Sequence, residues 1–200
     1  MNTETDLIEK RTASVSRSRS SRVWIIIIGV LAAIAIAGLV LWLAGVFGGK
    51  SDGQLRPVVG QPAFVSENDL RAYGDENGPL YWAGPASDVN YELTVTTSGA
   101  VFIRYVPKDE GVGTTTEVLT VATYPEQHGY EKLAEAATQE DMGSQITQSE
   151  ALVVVNSRSP QSTYFSFPDA AFQVEVFAPE EGVSEKRVVD GDIQLLGSGR

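Results

Sequence analysis

From Val23 to Phe47 the sequence reads VWIIIIGVLAAIAIAGLVLWLAGVF, a run of 25 residues with no charge and no proline. At about 1.5 Å per residue it reaches roughly 37 Å as a helix, longer than a hydrocarbon core of about 30 Å. Trp24 and Trp42 lie 18 positions apart, so their rings sit about 27 Å apart on the axis, near the two headgroup levels where amphipathic rings settle. The pattern predicts a transmembrane helix over 23–47. A secretory signal has an apolar stretch of only about 7 to 15 residues, although AIAG at Ala35 to Gly38 and LAG at Leu43 to Gly45 leave cleavage as an alternative.

Before this run, residues 1–22 contain little that is apolar beyond the first few positions and many Ser and Arg. Such a tail cannot repay the entropy of ordering and is expected to be a disordered cytoplasmic segment touching lipid through its arginines. RSRSSR within it also suits phosphorylation. After the run, residues 48–65 are expected to be a flexible tether: Gly48, Gly49, Gly53, Pro57, Gly60 and Pro62 interrupt any apolar periodicity. Ser66 with Asp69 three residues on predicts a capped helix that Gly74 ends. Leu80, Tyr81 and Trp82 follow as an apolar patch entering the first strand region.

There the period changes to two. Tyr91, Leu93 and Val95 alternate with Glu92, Thr94 and Thr96, the mark of a strand with one buried face. Ser98-Gly99-Ala100 suits a three-residue hairpin loop with Gly99 at positive φ. That loop pairs Leu93 with Tyr105, Val95 with Ile103 and Thr94 with Arg104, which leaves Arg104 diagonal to Glu92 as a surface ion pair. Glu117 to Tyr124 is a third strand. Pro125 leads into a helix with Tyr130, Leu133, Ala134 and Ala137 on its apolar face.

A second series repeats this order: strands at Ala151 to Val155, Thr163 to Phe167 and Phe172 to Ala178, then a helix opening at Pro179-Glu180-Glu181 and closing at Gly191. TYPE at Thr123 to Glu126 aligns with FAPE at Phe177 to Glu180. The expected fold class is α+β: a single N-terminal transmembrane helix followed by a mostly antiparallel sheet built from a duplicated β-β-β-α unit, with helices on one face. The extracytoplasmic domain is placed at 66–200, with repeat halves at about 90–140 and 150–195.

The net charge of −11 is unevenly spread. Residues 1–22 hold five bases and three acids, net +2; residues 23–47 hold none; from Gly48 on there are ten bases and 23 acids, net −13. Arg11, Arg17, Arg19 and Arg22 before the helix outweigh Lys50 and Arg56 after it, which predicts a cytoplasmic amino terminus and an extracytoplasmic domain in the cell membrane. An acidic domain also makes nucleic acid an improbable partner, since nucleic-acid binding needs a basic footprint. Gly29, Ala33 and Ala37 recur every four positions, a spacing that would let two transmembrane helices pack as a homodimer.

Candidate chemistry is sparse. Zero cysteines exclude disulfides, thiolate metal sites and a Cys nucleophile. His128 stands alone in YPEQHGYEKL without a GxSxG elbow, and reads as a helix-start surface residue. Asp75-Glu76-Asn77-Gly78 lacks the spacing of a calcium loop. Glu140-Asp141 reads as solvated, Asp190 and Asp192 as flanking a cap, and Gly111 to Gly113 has no Lys-Ser/Thr after it. No catalytic, cofactor-binding or metal-ligating residue is therefore assigned, and no cofactor is expected. Tyr81 and Trp82 head the aromatics to inspect for recognition, if exposed.

The strings LYWAG (Leu80 to Gly84), YELT (Tyr91 to Thr94), VFIRYVP (Val101 to Pro107), LTVATYP (Leu119 to Pro125) and FQVEVFAP (Phe172 to Pro179) resemble a group of actinobacterial single-pass membrane-anchored proteins with an extracytoplasmic domain. The resemblance covers roughly 66–195 and implies a bacterial plasma-membrane protein with an outward domain; it supplies no activity and no site residues. Two partners are expected, the lipid bilayer and an envelope or membrane protein. The sequence thus suggests a binding or assembly module and no enzyme. The alternatives are an envelope hydrolase working through acids or His128, and a structural spacer that dimerises in the membrane.

Overall fold

A computed structural model describes residues 57–197. The expected tail, the expected transmembrane helix at 23–47 and its Gly29, Ala33 and Ala37 stripe lie outside the described residues, as does the first half of the tether, 48–56. No helix among the described residues is long and apolar enough to cross a membrane.

The described chain is α+β, with a large antiparallel sheet and three helices. Eight strands lie side by side in the order β1 (Ala63–Val65), β3 (Val89–Val95), β4 (Val101–Pro107), β5 (Thr120–Pro125), β9 (Phe172–Phe177), β8 (Ser159–Ser166), β7 (Leu152–Asn156), β6 (Met142–Ile146). All neighbours are antiparallel. A small second sheet pairs β2 (Leu80–Trp82) with β10 (Gln194–Leu196). The helices are α1 (Glu67–Asn77), α2 (Gly129–Ala136) and α3 (Val183–Val189).

Strand alternation divides the large sheet into two buried faces. Leu93, Val95, Ile103, Tyr105, Val121, Val153, Phe165, Val174 and Val176 line the first and share one core with Leu70, Leu80, Trp82, Val188 and Leu196. The layer over that face is α1, the β2–β10 pair and α3. Ser66 caps α1 through a capping box with Asp69, and the bonds from Ser66 hold the Asp69 carboxyl below its ordinary value. The helix passes Gly74 and ends at Gly78, not at Gly74 as its glycine suggested. Gly74 is needed for approach instead, since a Cβ there would lie 2.8 Å from the Leu196 carbonyl oxygen.

The second face carries Glu92, Phe102, Arg104, Tyr124, Leu152, Val154, Tyr164 and Glu175. Helix α2 packs here, its buried Gly129 set against the Phe172 carbonyl and Ser166 Oγ so closely that a Cβ would sit 2.5 Å from the carbonyl oxygen. Helix α3 lies across the sheet from it: Ser184 bonds Thr163 at 2.9 Å, and Gln145 bonds Glu185 at 3.1 Å, both on the first face. The expectation of helices on one face is thus corrected. The near-continuous run ALVVV explains why, because Leu152 and Val154 need cover on one side and Val153 on the other. On α2 the buried apolar positions are Leu133 and Ala136, and the expected Ala134 is exposed.

The strand-strand-strand-helix order occurs twice, as β3-β4-β5-α2 and β7-β8-β9-α3. The TYPE and FAPE strings are not equivalent places, however. Thr123 faces the first side, where its hydroxyl accepts the Tyr81 amide at 3.2 Å. Phe177 pairs with Thr120 and Ser162 in the row that holds Glu92 and Arg104, on the second side. Strands β5 and β9 pair residues of unlike parity, as Thr123 with Val174, so an even offset of 54 residues places the two strings on opposite faces.

Strand β1 begins inside the expected tether and closes one end of the sheet against β3. The first hairpin is registered two residues from expectation: Leu93 pairs with Ile103, Val95 with Val101, and Glu92 lies directly opposite Arg104. The shift comes from the turn. Thr96 N–H donates to the Ala100 carbonyl at 2.8 Å, the Ala100 amide donates to Thr96 Oγ1 at 3.0 Å, and Thr96 and Ser98 hydroxyls meet at 2.9 Å. The loop is therefore Thr97-Ser98-Gly99, with Gly99 at φ 83°.

The β6–β7 hairpin uses the same turn, with Thr147, Ser149 and Ala151 making the matching bonds at 3.0, 3.1 and 2.9 Å. There the left-handed position is filled by Glu150 at φ 65°, a conformation disfavoured for a residue with a Cβ. Glu150 is exposed. Glu150→Gly is expected to stabilise the protein by about 0.5–1 kcal/mol, read from the denaturation midpoint; a lower midpoint would contradict this account of the turn.

Candidate functional site

Two carboxylates are buried on the second sheet face, and each is held by a side chain from a different strand. Glu92, 1% exposed, receives Arg104 Nη1 at 2.6 Å and also the Gly113 amide. Arg104 Nη2 bonds the carbonyls of Thr114 and Thr116 at 2.9 and 3.0 Å. Glu110 accepts the hydroxyls of both threonines and is held below its ordinary value by them. The residues 108–119 thereby fold over β3 and β4, covering the part of this face that no helix reaches. Expected as an exposed strand pair, Arg104 and Glu92 are an interior clasp.

Glu175, 3% exposed, stands at the centre of β9. Its Oε2 accepts Tyr124 OH at 2.8 Å, and its Oε1 accepts Ser162 Oγ at 2.8 Å and Tyr164 OH at 3.1 Å. Burial first, then the charge of Glu175, pushes the Tyr124 and Tyr164 phenols well above their ordinary value. No ion pair to Glu175 is seen among the described residues, so hydroxyl donors alone meet the charge. Three donors supply direct hydrogen bonds to both oxygens. The arrangement is a rigid polar core.

The motifs quoted above meet in the interior. Glu92 of YELT is bound by Arg104 of VFIRYVP, and Glu175 of FQVEVFAP by Tyr124 of LTVATYP. Tyr105 OH accepts from the Ala83 amide at 2.7 Å and donates to the Gly84 carbonyl at 3.1 Å, fixing the end of LYWAG. Tyr81 and Trp82 are buried, so they present no recognition surface. Tyr81 contacts Phe165 and Phe172, and the Arg71 guanidinium lies 5.3 Å over the Trp82 ring. A cavity of about 140 Å³ between Tyr73, Leu80, Val101, Thr123, Pro125 and Phe172 opens beside this cluster. It contains none of the buried carboxylates.

The other residues weighed from sequence are scattered. His128 precedes α2 as an exposed N-cap residue with no side-chain capping bond. Asp75 and Glu76 lie in α1, not in a turn. Asp141 pairs with Arg158 at 2.6 Å, and Asp190 with Lys186. Gly113 serves Glu92. Among the described residues no group of three His, Asp or Glu side chains is placed to hold a metal ion. No family model, curated protein or solved structure matches the chain.

Sequence reasoning missed Glu175 and its hydroxyls. The available signal was FQVEVF itself: in a strand buried on both faces, a central Glu must be bonded from both neighbours. It also missed β6, whose MGSQI is too polar and too rich in weak strand formers to announce a strand.

Proposed function

We propose that this is a single-pass membrane protein of the bacterial plasma membrane, amino terminus cytoplasmic, whose acidic extracytoplasmic α+β domain is a binding or assembly module for an envelope or membrane-protein partner. The anchor rests on the uncharged run at 23–47, and its orientation on four arginines within the preceding 12 residues against Lys50 and Arg56 after it. The module reading rests on how polar chemistry is spent. The buried carboxylates Glu92 and Glu175 are consumed by internal donors. The resemblance to actinobacterial anchored proteins fits the same picture.

The experiment is topological. Protease added to intact cells is expected to remove a carboxy-terminal epitope, and alkaline carbonate to leave the chain in the membrane pellet. A protected epitope, or recovery in the soluble fraction, would overturn the reading.

A further inference from the structure

The two edges of the large sheet are unlike. At one, β1 has three residues, follows Pro62, and is too short to template another strand. At the other, roughly 34 Å away across seven strand spacings, β6 has five residues, Met142 to Ile146, and among the described residues pairs only with β7. It contains no charge and no proline, and four of its five residues are exposed. Ile146 is 58% exposed. None of the usual devices that blunt a sheet edge is present in it.

Which peptide groups are free follows from the ladder. Asp141 O accepts the Ser157 amide at 2.9 Å and Thr147 N–H donates to Ala151 at 3.0 Å, so the odd positions of β6 face β7. In an antiparallel pair the alternate residues point away. Ser144 and Ile146 therefore direct both N–H and C=O outward, and Met142 its C=O, since its N–H is taken by the Gln139 carbonyl at 3.1 Å. Side chains of these three positions share the second face, so an added strand would lay its own alternate side chains beside Met142 and Ile146.

Charge selects the occupant. The ends of β6 carry Glu140, Asp141 and Glu150, and Glu185 reaches Gln145; the base Arg158 is joined to Asp141, and Lys186, next to Glu185, is joined to Asp190. Two copies paired through β6 would bring two acidic rims together. We propose that the outer edge of β6 takes up an extended segment of a partner protein, apolar at alternate positions and flanked by Lys or Arg. Backbone hydrogen bonds supply its affinity and the flanking bases its specificity. This deepens the binding-module reading and rests on it.

The test uses the full chain in detergent micelles and a fluorescent heptapeptide of alternating Val and Thr between terminal lysines. Ser144→Pro removes the central outward N–H while sparing the bonds to β7, so the fold survives; unchanged circular dichroism checks this. Saturable binding, weakened about tenfold by Ser144→Pro and about tenfold by glutamate-ended peptide, is expected. Equal binding to Ser144→Pro, or none to wild type, overturns the proposal, as does a dimer joined through a cysteine introduced by Ser144→Cys. A photocrosslinker replacing Ile146 or Val59 in intact cells separates the two readings. An adduct from Val59 alone keeps a binding module and discards β6; none from either removes both.

Discussion

Arg104→Met is expected to lower the melting temperature of the full chain by about 10 °C, a loss of about 3 kcal/mol at roughly 2–4 °C per kcal/mol for a domain of this size. The reason is the state in which it leaves Glu92: a carboxylate 1% exposed, with only the Gly113 amide still donating. The Arg104 side chain is itself 14% exposed, so residual water tempers the cost below the upper range for a sealed pair. Adding Glu92→Leu removes the orphaned charge, and the double variant is expected to be no less stable than Arg104→Met alone, giving a coupling of about 2 kcal/mol. Trypsin supplies an independent readout: Lys108 is already exposed, and freeing the 108–119 loop lets the chain around it enter the protease cleft in extended form. Strictly additive costs with an unchanged cleavage rate at Lys108 would show that the clasp contributes nothing beyond two separate side chains.

The same pair shows how far the sequence could be read. Alternation in YELTV and VFIRY located both strands and put Glu92 and Arg104 on a common face, but alternation cannot say whether that face is wet. Deciding it required knowing that the loop 108–119 returns over β3 and β4, and its Gly and Thr composition carries no such signal. The hairpin register failed for a related reason: Thr96 and Ala100 form the last bonded pair through a side-chain turn that Ser98-Gly99-Ala100 alone did not reveal. Seen afterwards, the spacing T-x-S-x-A at Thr96 and again at Thr147 is a readable signature of both turns. Apolar strands, the Ser66 cap and the helix after Pro125 were legible because each follows from local sequence. The opposed placement of α2 and α3, the short strand β1 and the polar edge β6 depend on which surfaces were left uncovered elsewhere.

Above pH 10 the stability of the domain is expected to fall steeply, by about 4 kcal/mol per pH unit. Tyr105, Tyr124 and Tyr164 carry the effect: burial is the first cause for each, and the negative charge of Glu175 adds to it for the latter two. Tyr73 and Tyr81 are raised by burial in the same direction. An unfolded phenol gives up its proton near pH 10, whereas these folded phenols keep theirs. The folded state then binds more protons than the unfolded one, so stability decreases as pH rises, by about 1.4 kcal/mol per unit for each such tyrosine. Three of them consume a typical margin of 5–15 kcal/mol within a few pH units, so the phenolate absorbance of these three should appear together with loss of near-ultraviolet circular dichroism, in one cooperative step. Tyr105→Phe should reduce the slope by about a third while leaving the Glu175 cluster intact. A gradual phenolate titration completed before the circular dichroism changes would mean that these hydroxyls reach water in the folded protein, and the polar core described around Glu175 would have to be abandoned.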